Sequence, residues 1–231
     1  MLQESTLEFL RQLARHNDRD WFQAHKKEYK AAKSDFDQFV DQLIATLAAE
    51  DQDLLGLQAK DCVFRIYRDV RFSKNKQPYK PNFGASITSG GRKSIVPGYY
   101  IHLQPGEQSF IGGGMYRPPA PLLKAVRQEI DYNQSTFEAI LNDPVFVATY
   151  GSIQGDQLVR APKGYDIDHP AIAWLKYKDI IAMKKVGDTT WTKEGAVQEI
   201  AQSLLVMKPL KNFLQAPLAD EEVKEALQQK A

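Results

Sequence analysis

Between Phe64 and Lys74 the chain reads Phe-Arg-Ile-Tyr-Arg-Asp-Val-Arg-Phe-Ser-Lys, and Lys80 follows Pro78-Tyr79. A guanidinium presents a rigid fork of donors that matches carboxylate and phosphate. Arg65 and Arg71 are therefore read as the clamp of a small phosphorylated or carboxylated ligand, with Arg68, which shares parity with the apolar residues, as a further candidate. Asp69 would orient a guanidinium, Tyr67 would stack or hydrogen-bond, and Lys74 and Lys80 would add positive field. His102 lies in Tyr99-Tyr100-Ile101-His102-Leu103; if that segment pairs with the arginine block, His102 is the candidate catalytic acid or base. An enzyme acting on a phosphoester is the catalytic extension of this reading.

The same residues admit two other functions. Lys74, Lys76, Lys80, Arg92 and Lys93, with Tyr79 and Phe83 interleaved, could grip nucleic acid or an acidic protein partner without catalysis. Alternatively, Arg65, Asp69 and Arg71 form an ion-pair ladder that only solvates a sheet face, and the working surface lies elsewhere. Charge distribution keeps the block in focus. From Lys60 to Lys93 there are nine bases and two acids, a local +7 in a chain whose net charge is +1. A field of that kind is local, and it argues against a surface coated throughout by nucleic acid.

Familiar motifs fail on residue identity. Gly90-Gly91-Arg92-Lys93-Ser94 has Arg where a phosphate-binding loop needs Gly before its Lys. Gly112-Gly113-Gly114 lacks dinucleotide spacing and reads as close backbone packing at the end of a strand. His16, His25, His102 and His169 are scattered, so neither a metal site nor a cofactor is expected. Asp166-Ile167-Asp168-His169 precedes Pro170 and reads as a helix cap rather than a metal cluster. Cys62 shares parity with Phe64 and Ile66 and reads as a small buried hydrophobe.

The elements that must position these residues can be read from periodicity. Ser5-Thr6-Leu7-Glu8 fits a capping box ahead of a helix carrying Leu7, Leu10 and Ala14. Asn17 or Asp18 caps a short second helix, and Phe36, Phe39, Val40, Leu43, Ile44 and Leu47 form one helical stripe. The period then falls to two over Phe64–Phe72, which predicts a half-buried strand placing Arg65, Tyr67, Asp69 and Arg71 on one face. Asn75–Asn82 is a loop; Tyr99–Leu103 and Gln108–Ile111 make a hairpin around Pro105-Gly106.

Helices resume at 119–132, after a second capping box at Ser135–Glu138, after Asp143-Pro144, near 170–178, and from Thr192 to Met207 and beyond Pro209. Ile180–Met183 is a further strand, and 157–160 a short one. The fold class is α+β: a single domain with an antiparallel sheet flanked by N-terminal and C-terminal helices. Its segments are helical 1–50, sheet-rich 60–115 and helical 119–216, with a loose tail at 217–231.

Composition fits this outline. The 231 residues are 43% hydrophobic and 26% charged, the balance of a globular chain rather than a disordered one. The longest apolar run, Ala171–Leu175, is far short of the ~20 residues of a membrane span, so no membrane partner is expected. One cysteine excludes an internal disulfide, and a cytoplasmic location is expected.

His16-Asn17-Asp18-Arg19-Asp20-Trp21-Phe22, the Phe64–Lys74 block, Pro78-Tyr79-Lys80, Gly112–Tyr116, Pro162–Tyr165 and Lys208-Pro209-Leu210 together resemble the domain of unknown function 2461 family over nearly the whole chain. The resemblance implies an uncharacterised protein of one domain and brings no catalytic residues with it. Asn75 stands where that family often has Asp, which makes the loop more positive.

Overall fold

The computed structural model describes residues 1–228. Helices α1 (Glu4–Arg15), α2 (Arg19–Ala24), α3 (Lys26–Ala48) and α4 (Ala59–Cys62) precede strands β1 (Phe83–Ile87), β2 (Gly98–Leu103) and β3 (Phe110–Met115). Then come α5 (Ala120–Tyr132), α6 (Gln134–Leu141), α7 (Pro144–Tyr150), α8 (Ile172–Leu175), β4 (Ile180–Lys185), α9 (Asp188–Thr192), α10 (Ala196–Leu205), α11 (Lys208–Gln215) and α12 (Glu221–Gln228). The strands form one antiparallel sheet in the order β1-β2-β3-β4, so the fold is α+β. No helix among the described residues is long and apolar enough to cross a membrane.

The chain groups into two compact units. The first comprises residues 1–93, 100–111 and 185–205. Its core is the stripe on α3, whose six predicted residues are all buried, packed against Leu7, Leu10 and Leu13 of α1 and Ile200 and Leu204 of α10. Trp191 of α9 is fully buried with its ring 5.6 Å from Phe39. Asp18 caps α2 by accepting the Trp21 N–H at 2.8 Å. α1 does not use its capping box: the helix starts at Glu4, and Asp35 of α3 accepts the Gln3 N–H and the Thr6 hydroxyl with one oxygen. A carboxylate brought by tertiary packing thus replaces the local one.

The second unit comprises residues 94–99, 112–184 and 206 onward. Leu122, Val126 and Ile130 of α5 are buried, and Phe137 of α6 lies 5.1 Å from Phe213 of α11. Asp143 caps α7 through the N–H groups of Val145 and Phe146, as its place before Pro144 predicts. The capping box at Ser135 is unused because α6 already starts at Gln134. The three glycines lie inside β3 rather than ending it. A Cβ on Gly113 would sit 2.2 Å from the Gly98 carbonyl oxygen, so strand contact itself requires glycine there.

Other expectations are corrected. The helix expected from Thr192 to Met207 is broken at Gly195, whose φ is +77°, into α9 and α10. The helix expected near 170–178 is the single turn α8. The strand expected at 157–160 is reduced to a bridge between Gln157 and Tyr177. Residues 217–228, expected to be a loose tail, hold the end of a short 3-10 turn and α12; residues 229–231 of that expected tail lie outside the described residues.

Candidate functional site

The arginine block is not the strand its alternation predicts. Residues 63–68 run antiparallel to 78–85 as an extended arm fixed at two bridges, Val63 to Ala85 and Tyr67 to Tyr79. Beyond Arg68 the chain leaves the arm, so the period-two pattern holds only for its first half. Phe72, predicted on the buried face, is 95% exposed. The arm is held by Arg68 N–H to the Pro78 carbonyl at 2.9 Å and Lys80 N–H to the Ile66 carbonyl at 2.8 Å. Tyr67 and Tyr79 therefore form a non-hydrogen-bonded pair with adjacent side chains, and Arg68 stands diagonally across from Lys80. The free N–H and C=O of Tyr79 are both taken by the amide of Asn17, which accepts and donates at 3.1 Å. Asn17 thus acts as one residue of a missing strand, a role its place between two helices does not disclose.

This register divides the predicted site residues. Tyr67 turns away from the cations: its ring is 5.5 Å from Tyr79 and 5.9 Å from Phe22, and Phe22 stacks on Tyr79 at 3.9 Å. Asp69 and Arg71 form their own exposed ion pair, Nε to Oδ1 at 3.0 Å and Nη2 to Oδ2 at 2.6 Å. That pair, with Arg65 close by, holds the Asp69 carboxyl below its ordinary range. The ladder across strands does not form, since Arg71 pairs within its own loop. Lys74 is exposed on the loop that follows. Tyr79 and Phe83, the aromatic residues expected to stack on nucleic acid, are 3% and 2% exposed and belong to the core.

The register puts Arg68 and Lys80, both half-buried, on one face of the arm; Arg65 is exposed, and its charge and that of Arg68 are felt at Lys80. Lys80 is half-buried, with its Nζ 5.4 Å from the centre of the Phe64 ring. Burial, with Arg65 and Arg68 nearby, pushes its ammonium below the usual lysine range. Among the described residues no carboxylate lies within ion-pair distance of Arg65, Arg68 or Lys80.

His102, on β2, stacks on Phe110 of β3 at 4.6 Å and 13°. Its Nε2 lies 3.1 Å from Gln104 Oε1, an acceptor, so in the neutral ring that nitrogen carries the proton. Nδ1 is then the acceptor for the Asn82 amide at 3.4 Å and the Tyr100 hydroxyl at 3.3 Å. Burial lowers the imidazole below its ordinary value; the Gln104 bond opposes this, and the Lys80 charge adds to it. The ring is therefore neutral at pH 7. Gly84 makes room for the network: a Cβ there would be 2.8 Å from the Tyr100 hydroxyl.

Asn82, Tyr100 and Phe110 complete this surface, and two of them carried signals. Tyr100 shares parity with His102. Asn82 follows Pro81 and opens a run, Phe83–Ile87, whose small residues Gly84, Ala85 and Ser86 hide a strand. Two concavities lie elsewhere. One of about 590 Å³ is lined by residues between Leu141 and Tyr177, and one of about 410 Å³ by residues between Asp41 and Leu57. Neither includes a residue of the arginine block.

The remaining sites of possible chemistry are structural. Cys62 is fully buried, and burial pushes its thiol up to about 12. His169 bonds Asp131 through Nε2 at 3.0 Å, and its Nδ1 accepts the Ala171 N–H at 3.1 Å; the expected helix cap does not form, since α8 begins after Ala171 with no side chain capping it. No cluster of three or more metal-ligating side chains occurs among the described residues.

The antiparallel sheet and the helices around it define an α+β protein. The chain belongs to the family described as conserved hypothetical protein (DUF2461), whose family model matches residues 5–213. No curated protein matches it, and no solved structure does.

Proposed function

We propose that the protein binds a small carboxylated or phosphorylated molecule at Arg65, Arg68 and Lys80, beside His102. The observation that carries the reading is the absence of a carboxylate on these three cations among the described residues. Arg68 and Lys80 are like charges, both half-buried, and such charges repel unless an acid lies between them. Elsewhere the same chain supplies such acids: Arg11 meets Glu4, Glu8 and Asp188, and Lys33 meets Asp37. An anion from solution would satisfy the cluster, with the guanidinium forks giving direction and Lys80 giving charge. His102 is the acid or base of the catalytic extension, because a neutral imidazole beside bound phosphate or carboxylate can take a proton.

The test is thermal unfolding with inorganic phosphate or acetate against Arg65→Ala and Arg68→Ala. At a concentration a hundredfold above Kd the wild type gains about 2.7 kcal/mol, and the variants gain little. Equal gains in all three proteins overturn the reading. Stabilisation only by oligonucleotides, falling steeply with salt, would instead place a polyanion on Lys74, Lys76 and Arg71.

A further inference from the structure

We propose that Lys80 is an amine nucleophile that condenses with the carbonyl carbon of a small oxo-carboxylate whose carboxylate is held by Arg65 and Arg68. The inference rests on the anion-binding reading above and narrows its ligand to a carboxylate that also bears a ketone or aldehyde.

Three observations carry it. The backbone at Lys80 is fixed: its N–H bonds the Ile66 carbonyl at 2.8 Å, and the preceding peptide is clamped by Asn17. The base of the side chain therefore starts from a set position. Its Nζ lies over the Phe64 ring at 5.4 Å with no carboxylate partner among the described residues. Two other half-buried cations are engaged by carbonyls: Arg127 donates to those of Leu175 and Tyr177, and Arg92 to that of Lys60. Finally, Lys80 is the only amine of this cluster, and the other two cations are guanidiniums. An arginine keeps its charge at any working pH, whereas a lysine that is desolvated beside other cations releases its proton readily. The cluster thus separates two tasks, with arginines for the anion and a lysine for the carbonyl. The direction in which the Lys80 ammonium is pushed agrees with this division.

The step balances without an oxidant or reductant. Lys80 gives up one proton to the solvent. The free amine adds to the carbonyl carbon and forms a C–N bond. The carbonyl oxygen takes the amine's remaining transferable proton and the one that was released, then leaves as water. One ammonium and one carbonyl give one protonated imine and one water. Phe64, Tyr100 and Phe110 supply the apolar flank, which favours water leaving.

The experiment is incubation of the full chain with pyruvate and sodium cyanoborohydride at pH 7, followed by peptide mapping. Lys80 is expected to be modified roughly tenfold or more faster than the exposed lysines, since the free amine is the reacting species. Lys80→Arg, which keeps the charge, should lose that modification, and Arg68→Ala should slow it in the protein that retains Lys80. Acetate, which has no ketone or aldehyde carbonyl, should protect by competition. Modification spread over the exposed lysines without preference for Lys80 overturns the proposal. Selective modification that neither acetate nor Arg68→Ala slows overturns it as well. If acetate and phosphate raise the melting temperature of the wild type while Lys80 stays unmodified, the nucleophile fails and the anion site stands. If neither happens, both fail.

Discussion

Asn17→Ala removes one side chain and should loosen the arm that carries Lys80. Its amide meets the N–H and the C=O of Tyr79, each at 3.1 Å, and Tyr79 is 3% exposed. Two such bonds are worth about 1 kcal/mol each in net terms, and a buried backbone group left without a partner adds roughly another. The expected loss is about 3 kcal/mol. For a chain of this size each kcal/mol moves the melting temperature by about 2–4 °C, so a fall of about 6–12 °C is expected. Asn17→Asp separates geometry from hydrogen bonding. It can still accept from the Tyr79 N–H, but its second oxygen faces the Tyr79 carbonyl, so it should be no better than Ala at neutral pH. Calorimetry gives the loss, and hydrogen exchange at Tyr79 and Lys80 shows where it acts. A melting temperature within about 1 °C of wild type in Asn17→Ala, with both amides still protected, would refute the reasoning. The arm would then be held by the Phe22–Tyr79 stack instead.

Two further outcomes follow from burial. Cys62 should resist iodoacetamide in the folded protein at neutral pH and react fully once unfolded, because its thiol is pushed up to about 12; rapid labelling of the native chain would contradict its placement. For His102 the folded imidazole titrates below its ordinary value. The unfolded state therefore takes up the proton first as pH falls from about 6.5, so the wild type loses stability through that window down to the folded pKa. Above it the contribution is fully present. His102→Gln removes this component, so the variant's own profile should be flatter there and the stability of the wild type relative to it should fall on acidification; a relative stability that rises on acidification would reject the neutral histidine.

The helical part of the fold was legible because its signals are local. The stripe on α3 repeats over three turns, and Asp18 and Asp143 sit where short helices begin, so the period and the cap agree. β2 and β3 were legible from an aromatic run interrupted by Pro105-Gly106. β1 was hidden, since Gly84, Ala85 and Ser86 carry little strand preference, and Gly84 leaves the space that the Tyr100 hydroxyl fills. The arginine block misled in the opposite way. Its alternation marks an extended chain, but whether that chain joins a sheet depends on partners remote in sequence, and here only two bridges form. The grouping of Arg65, Arg68 and Lys80 followed from composition, whereas the removal of Tyr67 and Arg71 from it depends on the register between 66–68 and 78–80. Asn17 carried no signal, because nothing in a helix-linking segment announces a contact with residue 79.

An extended segment with an unclaimed amide and carbonyl is an invitation to any other extended chain, which can add itself by the same two bonds. A single carboxamide answers that invitation at Tyr79. It does so without the length, side-chain alternation or apolar surface that a true neighbouring strand would bring. The protein thereby keeps a short stretch of chain extended while denying it a role as a template for aggregation.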